Sequence, residues 1–104
     1  WIRDAGCAFP GCDRPPRECE AHHLVPWLIG GPTALNNLVL LCPHHHARVE
    51  PATNPHTGQV IDNPHRWEAR LNSAGQPEFL PPRSHDHQRT PRRHTRYTLA
   101  AYNR

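Results

Sequence analysis

Apolar residues are in short supply in this chain. Hydrophobic types make up 36% of its 104 residues and the mean hydropathy is -0.82, against ~45–50% apolar content in ordinary globular chains. The deficit excludes a large self-sufficient core, so a domain of this size needs another staple. Long hydrophobic runs are missing too. The longest, residues 38–42, is strand-sized, far short of the ~20 residues that cross a bilayer. No secretory leader is legible, so the expected setting is cytoplasmic, with no membrane partner. Lysine is absent: all 12 basic residues are arginine, a bias that by itself says nothing about function. The formal charge of +3 is uneven. Residues 83–104 carry six Arg against one Asp, whereas residues 1–82 carry six Arg against eight acids.

Metal ligands, by contrast, are abundant, with 4 Cys and 10 His. Thiols in a reducing compartment point to metal rather than disulfides. Cys7-x4-Cys12 and Cys42-x2-His45 are two short chelating pairs separated by a strand and a loop, the spacing by which two knuckles meet around one tetrahedral zinc. Cys19 is an alternative to His45 as fourth ligand or else a buried thiol, and the general burial of free cysteine favours the latter.

Pattern and punctuation give an α+β order. Residues 19–25 alternate and are stopped by Pro26, Gly30-Gly31-Pro32 forces a turn, residues 38–41 form a buried strand, and Pro43 suits the first turn of a helix. His22 and His23 are adjacent on the first strand and so face opposite sides. His46 and Glu50, spaced i, i+4, share a helix face, so that His22, His46 and Glu50 make an open three-ligand site. Asn37 lies between the His pair and the second knuckle. Four regions are expected: a core over 1–50, an inserted loop over 51–65 without chemistry of its own, a β-hairpin over 66–82 from the WEARL and PEFL segments, and a mobile Arg-rich tail over 83–104. Residues 1–4 read as the end of an amphipathic helix, and with no initiating Met the chain is expected to be a piece of a longer protein with an upstream domain.

The string CEAHHLVPW, GG, T, NNLVLLC, HHH over residues 19–46 closely resembles the HNH endonuclease motif, with His23, Asn37 and His46 as its three named residues. The flanking RDAGCAFPGCDRPP, WEARL, PEFLPP and RTPRRHTRY segments resemble the HNH domain found C-terminal to a bacterial domain of unknown function. The resemblance implies a ββα-metal (His-Me finger) fold and phosphodiester hydrolysis, with double-stranded DNA as the expected substrate. His22 and His46 would hold a divalent cation, His23 would be the general base, and Asn37 would orient its imidazole. Cleavage would leave 5′-phosphate and 3′-hydroxyl ends. In many relatives, colicin-type nucleases among them, the position four after the helix ligand is His; here it is Glu50. A carboxylate there favours Mg²⁺ or Mn²⁺ over Zn²⁺, and it keeps open a second reading, a catalytically weak zinc module that binds nucleic acid or protein. His56 and His65 of the inserted loop are candidate substitute ligands. Arg89, Arg92, Arg93 and Arg96 of the tail are expected to contact nucleic-acid phosphates without reading sequence.

Overall fold

The structure, a computed structural model, describes residues 3–25, 30–52 and 54–97. The expectations placed on Trp1, Ile2, Pro26, Trp27 and Tyr102 lie outside these residues. In chain order the elements are β1 (Glu20–His23), β2 (Leu38–Leu41), α1 (Pro43–Val49), β3 (Glu68–Leu71) and β4 (Pro77–Leu80), with single 3-10 turns at Pro16–Glu18 and Leu35–Asn37. β1 and β2 pair antiparallel with His22 opposite Val39 and His23 opposite Leu38. β3 and β4 pair antiparallel with Ala69 opposite Phe79. Among the described residues, the two small hairpins and α1 make a mixed α/β fold.

The four residues of β2, Leu-Val-Leu-Leu, are all buried, which explains why they read as an unbroken apolar run rather than an alternation. Val39 and Leu41 join Cys7, Ala8, Val49, Phe79 and Tyr97 in a core cluster. On the N-terminal side the Ala8 N–H donates to the Leu40 carbonyl at 2.8 Å. α1 has only 7 residues and would be unstable alone. Pro43 starts it, where a missing N–H costs nothing. At its other end the Trp67 N–H donates to the Arg48 carbonyl at 3.3 Å, and Arg66 Nη1 donates to the Val49 carbonyl at 2.9 Å. The approach to the second hairpin therefore satisfies carbonyls that a helix end leaves unpaired.

Two boundaries differ from expectation. β1 stops at His23, because beyond it the Leu24 N–H donates to the Asn37 carbonyl and the Val25 N–H to Asn37 Oδ1, both at 2.8 Å. The mobile tail is corrected for residues 83–97, since these pack against the rest. Phe79 and Arg92 exchange backbone hydrogen bonds of 2.8 and 2.9 Å, and buried His94 donates from Nε2 to the Cys12 carbonyl at 2.8 Å. The Tyr97 hydroxyl donates to Asp4 Oδ1 at 2.6 Å. Phe79 is 0% exposed and Tyr97 4%, so both ends of the described chain close one core. Burying a side chain of that size contributes roughly 1.5–3 kcal/mol.

Candidate metal centres and active site

Cys7, Cys12, Cys42 and His45 bring four ligand atoms within 4.8 Å of one another. Cys42 Sγ lies 3.3 Å from His45 Nδ1, Cys7 Sγ lies 3.6 Å from the same nitrogen, and the Cys12 and Cys42 sulfurs are 3.9 Å apart. The three sulfurs are buried. Phe9 stacks on the His45 ring with centroids 4.1 Å apart and planes 6° from parallel, which fixes the rotation of the imidazole. Burial, followed by the charges of His44, Arg48 and Arg14, holds the His45 pKa below its usual value, leaving Nδ1 a lone pair at neutral pH. Burial pushes the Cys7 thiol up to about 12, with crowding by Cys12 added. Burial acts the same way on Cys42, but there N–H donors of His45 and His44 and the neighbouring thiols outweigh it and the pKa is lowered. Cys19 stands apart, its thiol on the Pro15 carbonyl at 3.3 Å and the Arg14 carbonyl at 3.8 Å.

A second cluster sits where β1 meets the end of α1. His22, His46 and Glu50 also place three ligand atoms within 4.8 Å. Glu50 Oε2 lies 3.2 Å from His22 Nδ1 and 2.6 Å from His46 Nε2. That last contact lacks hydrogen-bond geometry, and His46 Nε2 is a buried nitrogen with no hydrogen-bond partner among the described residues. Two lone-pair atoms aimed at a common point fit a cation. Burial lowers the His22 pKa, Glu50 opposes the shift, and the charges of His46 and Arg66 add to it, so His22 is neutral and able to ligate at pH 7. Behind the cluster, Glu20 Oε1 stands 3.6 Å from the other His46 nitrogen, Nδ1, the place of a carboxylate that orients a metal-binding imidazole. His56 is exposed, and His65 faces Ser84 Oγ at 2.9 Å. Neither joins the cluster.

His22 is 3% exposed, while its neighbour His23 turns to the other face of β1 and lies half-exposed. His23 Nε2 is 3.0 Å from Thr33 Oγ1. With an Nε2–H donated to that hydroxyl, Nδ1 keeps its lone pair. Thr33 stands inside the motif but carried no role in the sequence reading, because a hydroxyl across a turn has no spacing rule to betray it. Glu20, inside the expected strand, was missed because no spacing rule joins a strand carboxylate to His46 on the helix that follows.

Asn37 is corrected. Its side chain does not hold the His23 imidazole. Oδ1 accepts from the Val25 N–H, and Nδ2 donates to the Pro32 carbonyl at 2.9 Å and the Val25 carbonyl at 3.2 Å. It is buried, 6% exposed, and an amide with two donors and an acceptor can satisfy both sides of a loop at once. Gly31 belongs to the same knot: a Cβ there would collide with the Val25 carbonyl. Asn37 thus fixes the backbone at Val25, two residues beyond the end of β1. The tail arginines are engaged internally. Arg89 donates to the Pro81 carbonyl and Glu68, Arg93 to Gln76 and Arg96 to the Gly6 carbonyl, while the Arg92 guanidinium lies 5.9 Å from the Trp67 ring centroid.

A short ββα unit thus carries two clusters of candidate metal ligands, one toward each end of its helix. Residues 5–51, just under half of the chain, match the model of the HNH endonuclease family, and the ββα order and ligand placement of that segment are consistent with an HNH domain. Over 87 residues the chain is 36% identical to the uncharacterized protein Rv1128c and 34% identical to the uncharacterized protein Rv1945, both of Mycobacterium tuberculosis (strain ATCC 25618 / H37Rv). These alignments cover 84% of this chain but 16% of each relative. Over 45 residues the chain is also 49% identical to the uncharacterized protein Rv3776 of the same strain, covering 43% of this chain and 8% of that protein. The chain therefore spans about a sixth of the length of the first two relatives. No solved structure matches. Among the described residues no helix is long and apolar enough to cross a membrane.

Proposed function

We propose that this chain is a metal-dependent endonuclease that hydrolyses phosphodiester bonds in double-stranded DNA. The observation that carries the reading is the convergence of His22 Nδ1, His46 Nε2 and Glu50 on one point, with His23 on the opposite face of the same strand. His22, His46 and Glu50 would hold one divalent cation, Mg²⁺ or Mn²⁺ in preference to Zn²⁺ given the carboxylate, with Zn²⁺ possible. When bound, it supplies Lewis-acid stabilisation of the negative charge that builds on the phosphoryl oxygens and the leaving 3′-oxygen.

The remaining steps belong to the chain. His23 Nδ1 takes a proton from a water in line with the scissile bond, and the resulting hydroxide adds to phosphorus while the P–O3′ bond breaks. The departing 3′-oxygen is protonated from solvent, leaving a 5′-phosphate and a 3′-hydroxyl. Thr33 holds Nε2 so that Nδ1 stays the basic atom. Asn37 and Gly31 keep the loop closed against the end of β1, so the imidazole enters at a fixed angle.

Cys7, Cys12, Cys42 and His45 hold a structural zinc in this reading. A tetrahedral site with Zn–S of about 2.3 Å and Zn–N of about 2.0–2.1 Å has ligand-to-ligand edges of roughly 3.5–3.8 Å, and the separations of 3.3, 3.6 and 3.9 Å bracket that range. Plasmid relaxation tests the activity. The zinc-loaded chain is expected to nick supercoiled DNA with Mg²⁺ or Mn²⁺, and EDTA to stop it. A folded, zinc-loaded chain that binds DNA without cutting it under any divalent cation would be the weak zinc module instead.

A further inference from the structure

Between the end of α1 and the segment that follows the second hairpin lies a cavity of about 470 Å³. Its wall includes Arg48, Arg66, His65, His85, Ser84 and Trp67, and Glu50 stands at its edge. Glu50 is also a member of the three-ligand cluster, so the cavity opens beside the candidate active site. The inserted loop, expected to carry no chemistry, builds one side of it. The loop is held in place by the contact of His65 with Ser84, by the Ser84 N–H on the Pro64 carbonyl at 3.2 Å, and by a two-pronged pair of Arg83 with Asp62 at 2.7 and 2.8 Å.

The lining is strongly one-sided. Two guanidinium groups, two imidazoles and a hydroxyl offer donors, while the single carboxylate, Glu50, is turned toward His22 and His46. Asp62, the acid of the loop, is neutralised by Arg83. Arg66 is anchored by its Nη1 on the Val49 and Trp67 carbonyls, which presents the rest of its guanidinium without further loss of side-chain freedom. Among the described residues, the side chains of Arg48 and His85 are exposed, and neither makes a hydrogen bond or an ion pair. Converging donors with no anion of the protein's own among them match a phosphate group.

We propose that this cavity is a phosphodiester subsite: it binds a backbone phosphate of the DNA strand next to the one cut, with Arg48, Arg66 and His85 as the contacts and Trp67 beside the adjoining sugar. The subsite rests on the nuclease reading for its role, and it gives the inserted loop the task of setting where along the strand the scissile phosphate falls.

The test is binding, not cleavage. Fluorescence anisotropy of a 20-base-pair duplex with the zinc-loaded chain, in the absence of Mg²⁺ and Mn²⁺, is followed as a function of salt. Arg48→Ala is expected to weaken the duplex about tenfold and to lower the salt slope by about 1, and Arg48→Lys to restore the slope. The control is Arg17→Ala, an equal charge change on the exposed turn before β1, expected to leave affinity near that of the parent. Zinc content and melting temperature should match the parent in each variant. Equal losses in Arg48→Ala and Arg17→Ala, or no loss in the former, overturn the subsite. So does a parent with no salt-dependent duplex binding, or one in which inorganic phosphate binding depends on Arg48 while duplex binding does not. A chain that binds as expected yet never cuts sinks the nuclease reading alone; a chain that cuts while Arg48 proves indifferent sinks the subsite alone.

Discussion

The two ligand clusters use the same helix and the same residue types, yet they are built oppositely. At the start of α1, Cys7, Cys12, Cys42 and His45 offer four ligands, three of them buried cysteines, sealed by the Phe9 ring. At its end, His22, His46 and Glu50 offer three, and Glu50 is 53% exposed. Four ligands complete a tetrahedron and leave nothing for a substrate to reach, whereas three leave a coordination position open. In the proposed reading the first arrangement substitutes for the apolar core that the composition denies the chain, and the second gives up closure to keep access for a phosphate oxygen. Placing them at opposite ends of a two-turn helix lets the stability of one fix the geometry of the other.

That contrast can be broken most severely at the closed cluster. Cys42→Ser should abolish the folded state, since structural zinc binding is folding free energy in a domain this small. Metal analysis and a melt would show loss of about one zinc per chain together with loss of the transition. Folded Cys42→Ser protein without zinc would refute the structural role. Across β1 from the open cluster, at His23, the same measurements should barely move while chemistry collapses. His23→Ala is expected to lower nicking by roughly 10²–10⁴-fold with melting temperature and zinc content unchanged, and undiminished cleavage in that variant would remove His23 from the mechanism.

A smaller effect is expected one layer out. Glu20→Gln takes away the charge facing His46 Nδ1, and affinity for the catalytic cation should fall about 10–100-fold, read as a shift in the Mn²⁺ concentration that gives half-maximal nicking. An unchanged Mn²⁺ requirement would mean that Glu20 does not orient His46.

The smallest effect concerns neither cluster but the latch behind them. Burial alone would raise the Asp4 pKa, but hydrogen bonds from Arg3, Tyr97 and the Leu40 N–H outweigh it and bring it below 3.8. A depressed carboxylate contributes stability that is present above its unfolded value and is lost as pH falls through the folded value. Tyr97→Phe removes one of the lowering contacts. The variant should lose roughly 1–3 kcal/mol at neutral pH, and its acid-unfolding midpoint should move to higher pH. Coincident acid-unfolding curves for parent and variant would show the hydroxyl to be idle.

What the sequence disclosed follows the range of the interactions. Cys7-x4-Cys12, Cys42-x2-His45 and the i, i+4 pair of His46 and Glu50 are chelating units a few residues long, so spacing alone reveals them. The buried run of β2 and the proline at the start of α1 are equally local. Asn37 was legible as important and misread in its contacts, because an amide can bond a neighbouring imidazole or a neighbouring backbone and the sequence does not distinguish them. The C-terminal region was the larger error. Its polar, Arg-rich composition resembles a solvated end, yet Phe79 with Arg92, His94 with Cys12 and Tyr97 with Asp4 draw it into the core through contacts 82 and 93 residues apart for the last two. Composition averages over such pairs and cannot show them.

The latch between Asp4 and Tyr97 also sets an order of events. A contact across 93 residues is reached only after the intervening chain has been brought together, and fixing it early carries the full entropy of that closure. In the proposed reading, capture of a metal by Cys7, Cys12, Cys42 and His45 would join residues 7 and 42 first and shorten the remaining path to Tyr97. If the closed cluster holds zinc as proposed, assembly would run from knuckle to latch, and the rate at which Tyr97 becomes shielded from solvent would follow the supply of zinc rather than the intrinsic speed of the chain.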